Sequence, residues 1–144
     1  MKKLYVLFLL LVCPMVTKAQ KGLHIEALFE GKVVPREQMV ETRVRGRSLS
    51  KYGLTYFRSL RFEPGKKERE QVVRLLEQDM EGLPDTHYQR NKRKWSDQIY
   101  VQLPSVGNTC RMLCYRYRDA EALVIYMEGP RASVETLKQM SNNK

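Results

Sequence analysis

The chain has 144 residues, 42% of them hydrophobic and 29% charged, with 26 Lys and Arg against 16 Asp and Glu for a formal charge of +10. Its length suits one domain and argues against a multidomain architecture. A chain of this size buries roughly two-thirds of its unfolded surface, so folding requires neither a metal nor a disulfide.

The N-terminus reads as a secretory signal peptide over residues 1–19. Met1-Lys2-Lys3 is positive, Leu4 to Val16 is an uncharged apolar run, and Thr17-Lys18-Ala19 puts small residues three and one positions before a cut after Ala19. The run is too short for a transmembrane span, which needs roughly 20 residues. Val12 rather than a small residue precedes Cys13, and Pro14-Met15-Val16 prolong the run, which argues against a lipoprotein. The expected product is therefore residues 20–144, a single periplasmic or secreted domain with no transmembrane segment. The signal takes three lysines and no acid with it, leaving a charge of +7. A basic exported domain is biased towards anionic lipid or acidic glycan, and export makes nucleic acid an unexpected physiological partner.

Along the mature chain, "LHIEALFEG" predicts a short N-terminal helix stopped by Gly31, although "IEALF" also fits a strand. Val40, Thr42 and Val44 alternate with Glu41, Arg43 and Arg45 as in a half-buried strand, with the first set inward. Ser48 to Tyr52 suggests a helical turn, and Gly53 restarts the chain. Leu54 to Phe62 predicts a strand with Leu54, Tyr56, Leu60 and Phe62 on one face, ended by Pro64-Gly65. The clearest helix covers 66–82: Val72, Leu75, Leu76, Met80 and Leu83 form one stripe, and Gly82-Leu83-Pro84 terminates it. Residues 85–96 are polar and poorly periodic, and read as an irregular segment or an edge strand. Gln98 to Pro104 predicts a strand with Ile99, Val101 and Leu103 inward. Leu123 to Met127 is an apolar run suited to a central strand, and a final helix is expected over 132–141. The fold class is α+β: a single, largely antiparallel sheet of about five strands with two helices (66–82 and 132–141) on one face, plus the short N-terminal helix.

The stretch "TCRMLCYRYR" between the last two of these strands carries the only cysteines of the mature chain, Cys110 and Cys114. On a helix they would share a face and could bridge. The alternation of Arg116, Tyr117 and Arg118 before a turn favours a strand, in which four residues span about 13 Å. A disulfide needs Cα atoms within about 7 Å, so the expectation is two buried free thiols and no disulfide. C-x₃-C matches neither the zinc nor the thioredoxin spacing. His24 and His87 stand far apart without ligand spacing, so no metal or other cofactor is expected. No G-x-S-x-G or H-E-x-x-H motif is present, and no catalytic residue is singled out.

Arg90-Asn-Lys-Arg-Lys-Trp95 is the candidate binding surface. Arg90, Lys92, Arg93 and Lys94 could hold an anion while Trp95 stacks on a sugar or base. The alternative is a solvated loop with Trp95 packed on the sheet edge. Arg43, Arg45 and Arg47 would extend the patch if they shared its face.

"LSKYGLTYFRSLRF" before a charged amphipathic helix, followed by "ALVIYMEG" and a short last helix, is similar to a group of small exported proteins of unknown function from Gram-negative bacteria. In that group a glycine after the final strand opens the terminal helix, as Gly129 does here. The resemblance covers most of residues 23–140. It implies export and an α+β fold, carries over no active site, and does not include "RNKRKW". The resulting expectation is a non-catalytic cell-envelope binding or accessory domain. The alternatives are a small hydrolase with a cleft of scattered residues, or a thiol-redox protein using Cys110 and Cys114.

Overall fold

In the computed structural model, which describes residues 22–130 and Ala132, six strands pair into one antiparallel sheet. They are β1 (Met39–Arg45), β2 (Tyr56–Phe62), β3 (Tyr88–Arg93), β4 (Ser96–Val106), β5 (Thr109–Arg118) and β6 (Glu121–Gly129). Their order across the sheet is β1-β2-β6-β5-β4-β3. Two helices, α1 (Glu26–Phe29) and α2 (Lys66–Met80), complete an α+β architecture.

Two expectations are corrected. The sheet has six strands rather than five, because the poorly periodic segment after Pro84 supplies β3. That strand lies at an edge and is exposed along most of its length, so it carries no apolar alternation to read. The helices that share a face are α1 and α2. Ala132, where the second expected helix begins, packs instead into the cluster on the opposite face, and the rest of that helix lies outside the described residues, as does the signal segment.

The burial pattern explains the strand order. Ala122 to Met127 are all buried because β6 sits between β2 and β5 and is covered on both faces; a continuous apolar run is what such a position demands. On the helix side, Val72 and Leu76 of α2 pack with Leu28 and Phe29 against Leu60, Ile99, Val101, Leu113, Val124 and Tyr126. The opposite cluster holds Tyr100, Met112, Cys114, Ile125 and Met127, with Leu49 and Leu54. Leu54 therefore precedes β2 and belongs to the other face from Tyr56, Leu60 and Phe62, contrary to the sequence pattern. On β1, the set expected to point inward is split: Val44 is half-buried against the cluster away from the helices, whereas Val40 is 67% exposed. β1 is the other edge of the sheet, where alternation need not signal burial.

A backbone contact fixes the far end of β6. The Thr55 N–H donates to the Glu128 carbonyl at 2.9 Å. A Cβ on Gly129 would lie 2.6 Å from the Cα of Leu54 and closer still to the Gly53 carbonyl oxygen. Glycine is required there because two backbones meet.

The connections decide what sits at the opposite end. β2 and β3 point the same way, since three antiparallel neighbours separate them, and α2 crosses the sheet between them. The start of α2, the β3–β4 turn at Lys94-Trp95 and the β5–β6 turn at Asp119-Ala120 thus gather at one end. Asp119 and Ala120 have φ of 54° and 65°, which lets two residues close the hairpin directly after Arg118.

Candidate functional site

The "RNKRKW" run is the last part of β3 and its turn into β4, and it faces the first half of α2. Between them lies an open groove of about 480 Å³. Strand alternation divides the run between the two faces of the sheet. Arg90 and Lys92 pair with Ile99 and Asp97 and point towards α2, whereas Arg93 pairs with Ser96 and points away. Lys94 and Trp95 form the turn itself. Trp95 is 77% exposed, so it is not packed on the sheet edge; it lines the groove, with the Lys94 ammonium 5.4 Å from its ring centre.

These cations are not equivalent. Arg90 donates from Nε to Asp97 Oδ1 at 3.1 Å and from Nη2 to Asp97 Oδ2 at 2.8 Å, a forked pair, and Glu77 of α2 lies 3.4 Å from its Nη1. The hydrogen bond with Asp97 raises the guanidinium's pKa against a smaller opposing effect of burial. Asp97 is buried, so Arg90 neutralises a carboxylate that the fold would otherwise strand. Arg90 is thereby a positioning residue for the hairpin. Lys92, Arg93 and Lys94 make no ion pair with any described residue.

The helix wall adds Lys66, Arg69 and Arg74. The Arg69 guanidinium stacks 4.5 Å over the Tyr117 ring, and its Nε is buried without a hydrogen-bond partner. Tyr115 forms the floor, with its hydroxyl pushed up to about 12 by burial and then by Asp97. Seven cationic residues line the groove against three carboxylates, Arg93 among them from the strand end although its side chain points away. Nothing in the β3 run alone points to the α2 contribution. The signal was available only as the charged face of a helix that lands beside β3 once the crossover is known.

Other predicted features fall elsewhere. Arg43 and Arg45 lie on β1 at the opposite edge of the sheet from β3, and Arg47 lies in the short 3₁₀ turn that follows, so none of the three joins the patch. Cys110 and Cys114 are free and share one face of β5 with Met112, but only Cys114 is buried as expected; Cys110, near the start of the strand, is half-buried. Burial pushes the Cys114 thiol up to about 12, which leaves almost no thiolate at neutral pH. His24 Nδ1 lies 3.0 Å from Asp79 Oδ1, and Asp79 also accepts the backbone N–H of His24 and Ile25 at 2.7 and 2.9 Å, which ties α1 to the end of α2. Neither histidine lines the groove. Among the described residues, no three His, Cys, Asp or Glu side chains are grouped to hold a metal ion, and no helix is long and apolar enough to cross a membrane.

No curated protein and no solved structure matches the chain. A family model described as a family of unknown function (DUF6108) matches residues 12–141, and the chain belongs to that family.

Proposed function

We propose that this is an exported, non-catalytic binding domain of the cell envelope, periplasmic or secreted, that takes an anionic ligand in the groove between α2 and the β3–β4 hairpin. One observation carries the reading: an exposed tryptophan sits among cations that no described carboxylate neutralises. Unmatched cations repel one another, and a ligand bearing phosphate, sulfate or carboxylate groups relieves that repulsion. A large aromatic surface left in water at a turn is suited to stack on a sugar ring or to sit at a headgroup layer. The groove offers tyrosines and three carboxylates, of which Asp97 and Glu77 are engaged by Arg90, but neither a histidine nor a cysteine, which favours binding over a hydrolysis that uses either.

Trp95 is the chain's single tryptophan, so its fluorescence reports on the site directly. Titration with heparin fragments or with phosphatidylglycerol vesicles is expected to change that emission. The affinity should fall as salt rises, because exposed charges are screened beyond about 10 Å at 0.1 M. Changing Lys92, Arg93 and Lys94 together to Gln should weaken binding by at least about tenfold, the equivalent of 1.4 kcal/mol. Binding that ignores both salt and this triple change would overturn the proposal. So would failure to bind either probe. Export is tested by cell fractionation and by a mature N-terminus at Gln20.

A further inference from the structure

The reverse side of the same hairpin holds a second group of cations. Arg93, Arg116 and Arg118, with Asn91, Ser96 and Gln98, line a depression of about 380 Å³ on the face away from α2. Register places them in two rows. Arg93, Ser96 and Arg118 lie across β3, β4 and β5 in one row, and Asn91, Gln98 and Arg116 lie in the next. Strands in a sheet are about 4.8 Å apart, so Arg93 and Arg118 flank Ser96 at a distance their long side chains can close over.

No carboxylate lines this cradle. The ion pair nearest to it, Arg118 with Asp119 at 3.7 Å, joins side chains 72% and 90% exposed, and a pair so solvated neutralises little. Guanidinium groups bind carboxylate, sulfate and phosphate through paired N–H donors. The amides and hydroxyl between them are suited to sugar hydroxyls.

We infer that this cradle is a second anion subsite, and that the ligand is an acidic polysaccharide chain that passes over the hairpin edge and occupies cradle and groove together. This rests on the groove's being an anion site. Three features join the two. Arg93 and Ser96 line both depressions, Trp95 stands at the turn between them, and among the described residues no other strand lies outside β3 to block the path. The two depressions open on opposite faces of one sheet. A planar bilayer can press against one of those faces, whereas a flexible chain reaches both. Cations separated by neutral hydrogen-bonding side chains also match a polymer whose charges alternate with hydroxyls.

The test uses the full chain, heparin fragments from disaccharide to decasaccharide, and two variants. Arg116→Gln with Arg118→Gln removes the cradle; Lys92→Gln with Lys94→Gln removes the groove. Thermal melting confirms that each variant folds. The wild type is expected to bind the decasaccharide at least about tenfold more tightly than the disaccharide, through the gain from joining two subsites. The cradle variant should lose most of that gain and keep its disaccharide affinity. A cradle variant equal to wild type on the decasaccharide overturns the inference. So does preference for phosphatidylglycerol vesicles over the decasaccharide. If the groove variant alone loses affinity, the cradle is wrong and the groove stands; if neither variant loses affinity, the groove proposal itself fails.

Discussion

The two edge strands of the sheet, β1 and β3, are alike in composition and opposite in electrostatics. Both are short, polar and rich in cations. At the β1 edge the charges are matched inside the protein. Glu41 accepts hydrogen bonds from Arg43 Nε at 2.8 Å and from Arg58 Nε of β2, and the Arg45 guanidinium lies 4.7 Å over the Tyr56 ring. Arg58 continues inward, stacking on Phe29 and donating to the Phe29 carbonyl at 3.3 Å, which joins β2 to α1. At the β3 edge only Arg90 is matched by carboxylates, Asp97 and Glu77; among the described residues Lys92, Arg93 and Lys94 have no carboxylate partner, and Lys94 meets only the exposed Trp95 ring. A cation on an edge strand is thus structural or available according to whether a neighbouring element supplies a carboxylate, and its own residue type does not decide the matter.

The largest effect expected from this contrast is at Arg58, whose side chain is 11% exposed. Arg58→Ala leaves Glu41 without its inner partner, exposes the Phe29 ring and removes a donor from the Phe29 carbonyl. A loss of about 2 kcal/mol is expected, from lost packing of the Arg58 stem and guanidinium on Phe29 together with loss of a partly exposed charge pair. Urea unfolding of the variant measures it. Arg58→Lys should recover only part, since one ammonium cannot both stack on Phe29 and reach two acceptors. A loss as small as that of a surface substitution would erase the distinction between the edges.

Glu41→Gln is a smaller and pH-dependent test. Burial pushes the Glu41 carboxyl up, but the hydrogen bonds from Arg43 and Arg58 outweigh that and hold it below the ordinary carboxylate range. A carboxyl lowered on folding contributes stability at pH above its unfolded value of about 4.3, and loses it as pH falls through the lower folded value. Wild type should therefore exceed Glu41→Gln by about 1 kcal/mol near pH 7, as befits a partly exposed pair. The two stabilities should converge in acid. A difference that persists unchanged below the folded value would assign the effect to packing rather than charge.

Much of this fold was legible in the sequence, and the reasons it failed elsewhere are physical. The α2 stripe, the inward set Ile99, Val101 and Leu103, and the central position of Leu123 to Met127 were readable because burial imposes period and composition together. β3 was legible only as one of two readings, an edge strand or an irregular segment, because a strand whose side chains mostly face water has nothing to alternate. β1 misled for a related reason. Val40, Thr42 and Val44 alternate well, yet at an edge the inward face of a strand is set by what covers it. The basic run was visible as a run, but its division between two faces depends on register. Its meeting with Lys66, Arg69 and Arg74 depends on the crossover, and its meeting with Arg116 and Arg118 on the pairing of β4 with β5. Those are contacts between segments far apart in the chain.

The smallest expected effect tests the other half of the contrast. Lys92→Gln with Lys94→Gln removes two charges that have no carboxylate partner among the described residues, so folding stability should change by no more than about 0.5 kcal/mol. The sign can be favourable. Lys92 and Lys94 share one end of the sheet with Arg93, Arg116 and Arg118, and removing like charges from such a cluster relieves repulsion in the folded state. A stability that is unchanged or slightly raised, alongside weakened ligand binding, is the signature of residues whose role lies outside folding. A loss above about 1 kcal/mol would mean that these lysines, like Arg58 and Arg90, are part of the internal charge balance. The two edges would then differ in degree only, and the exposed Trp95 would be left as the sole mark of a site.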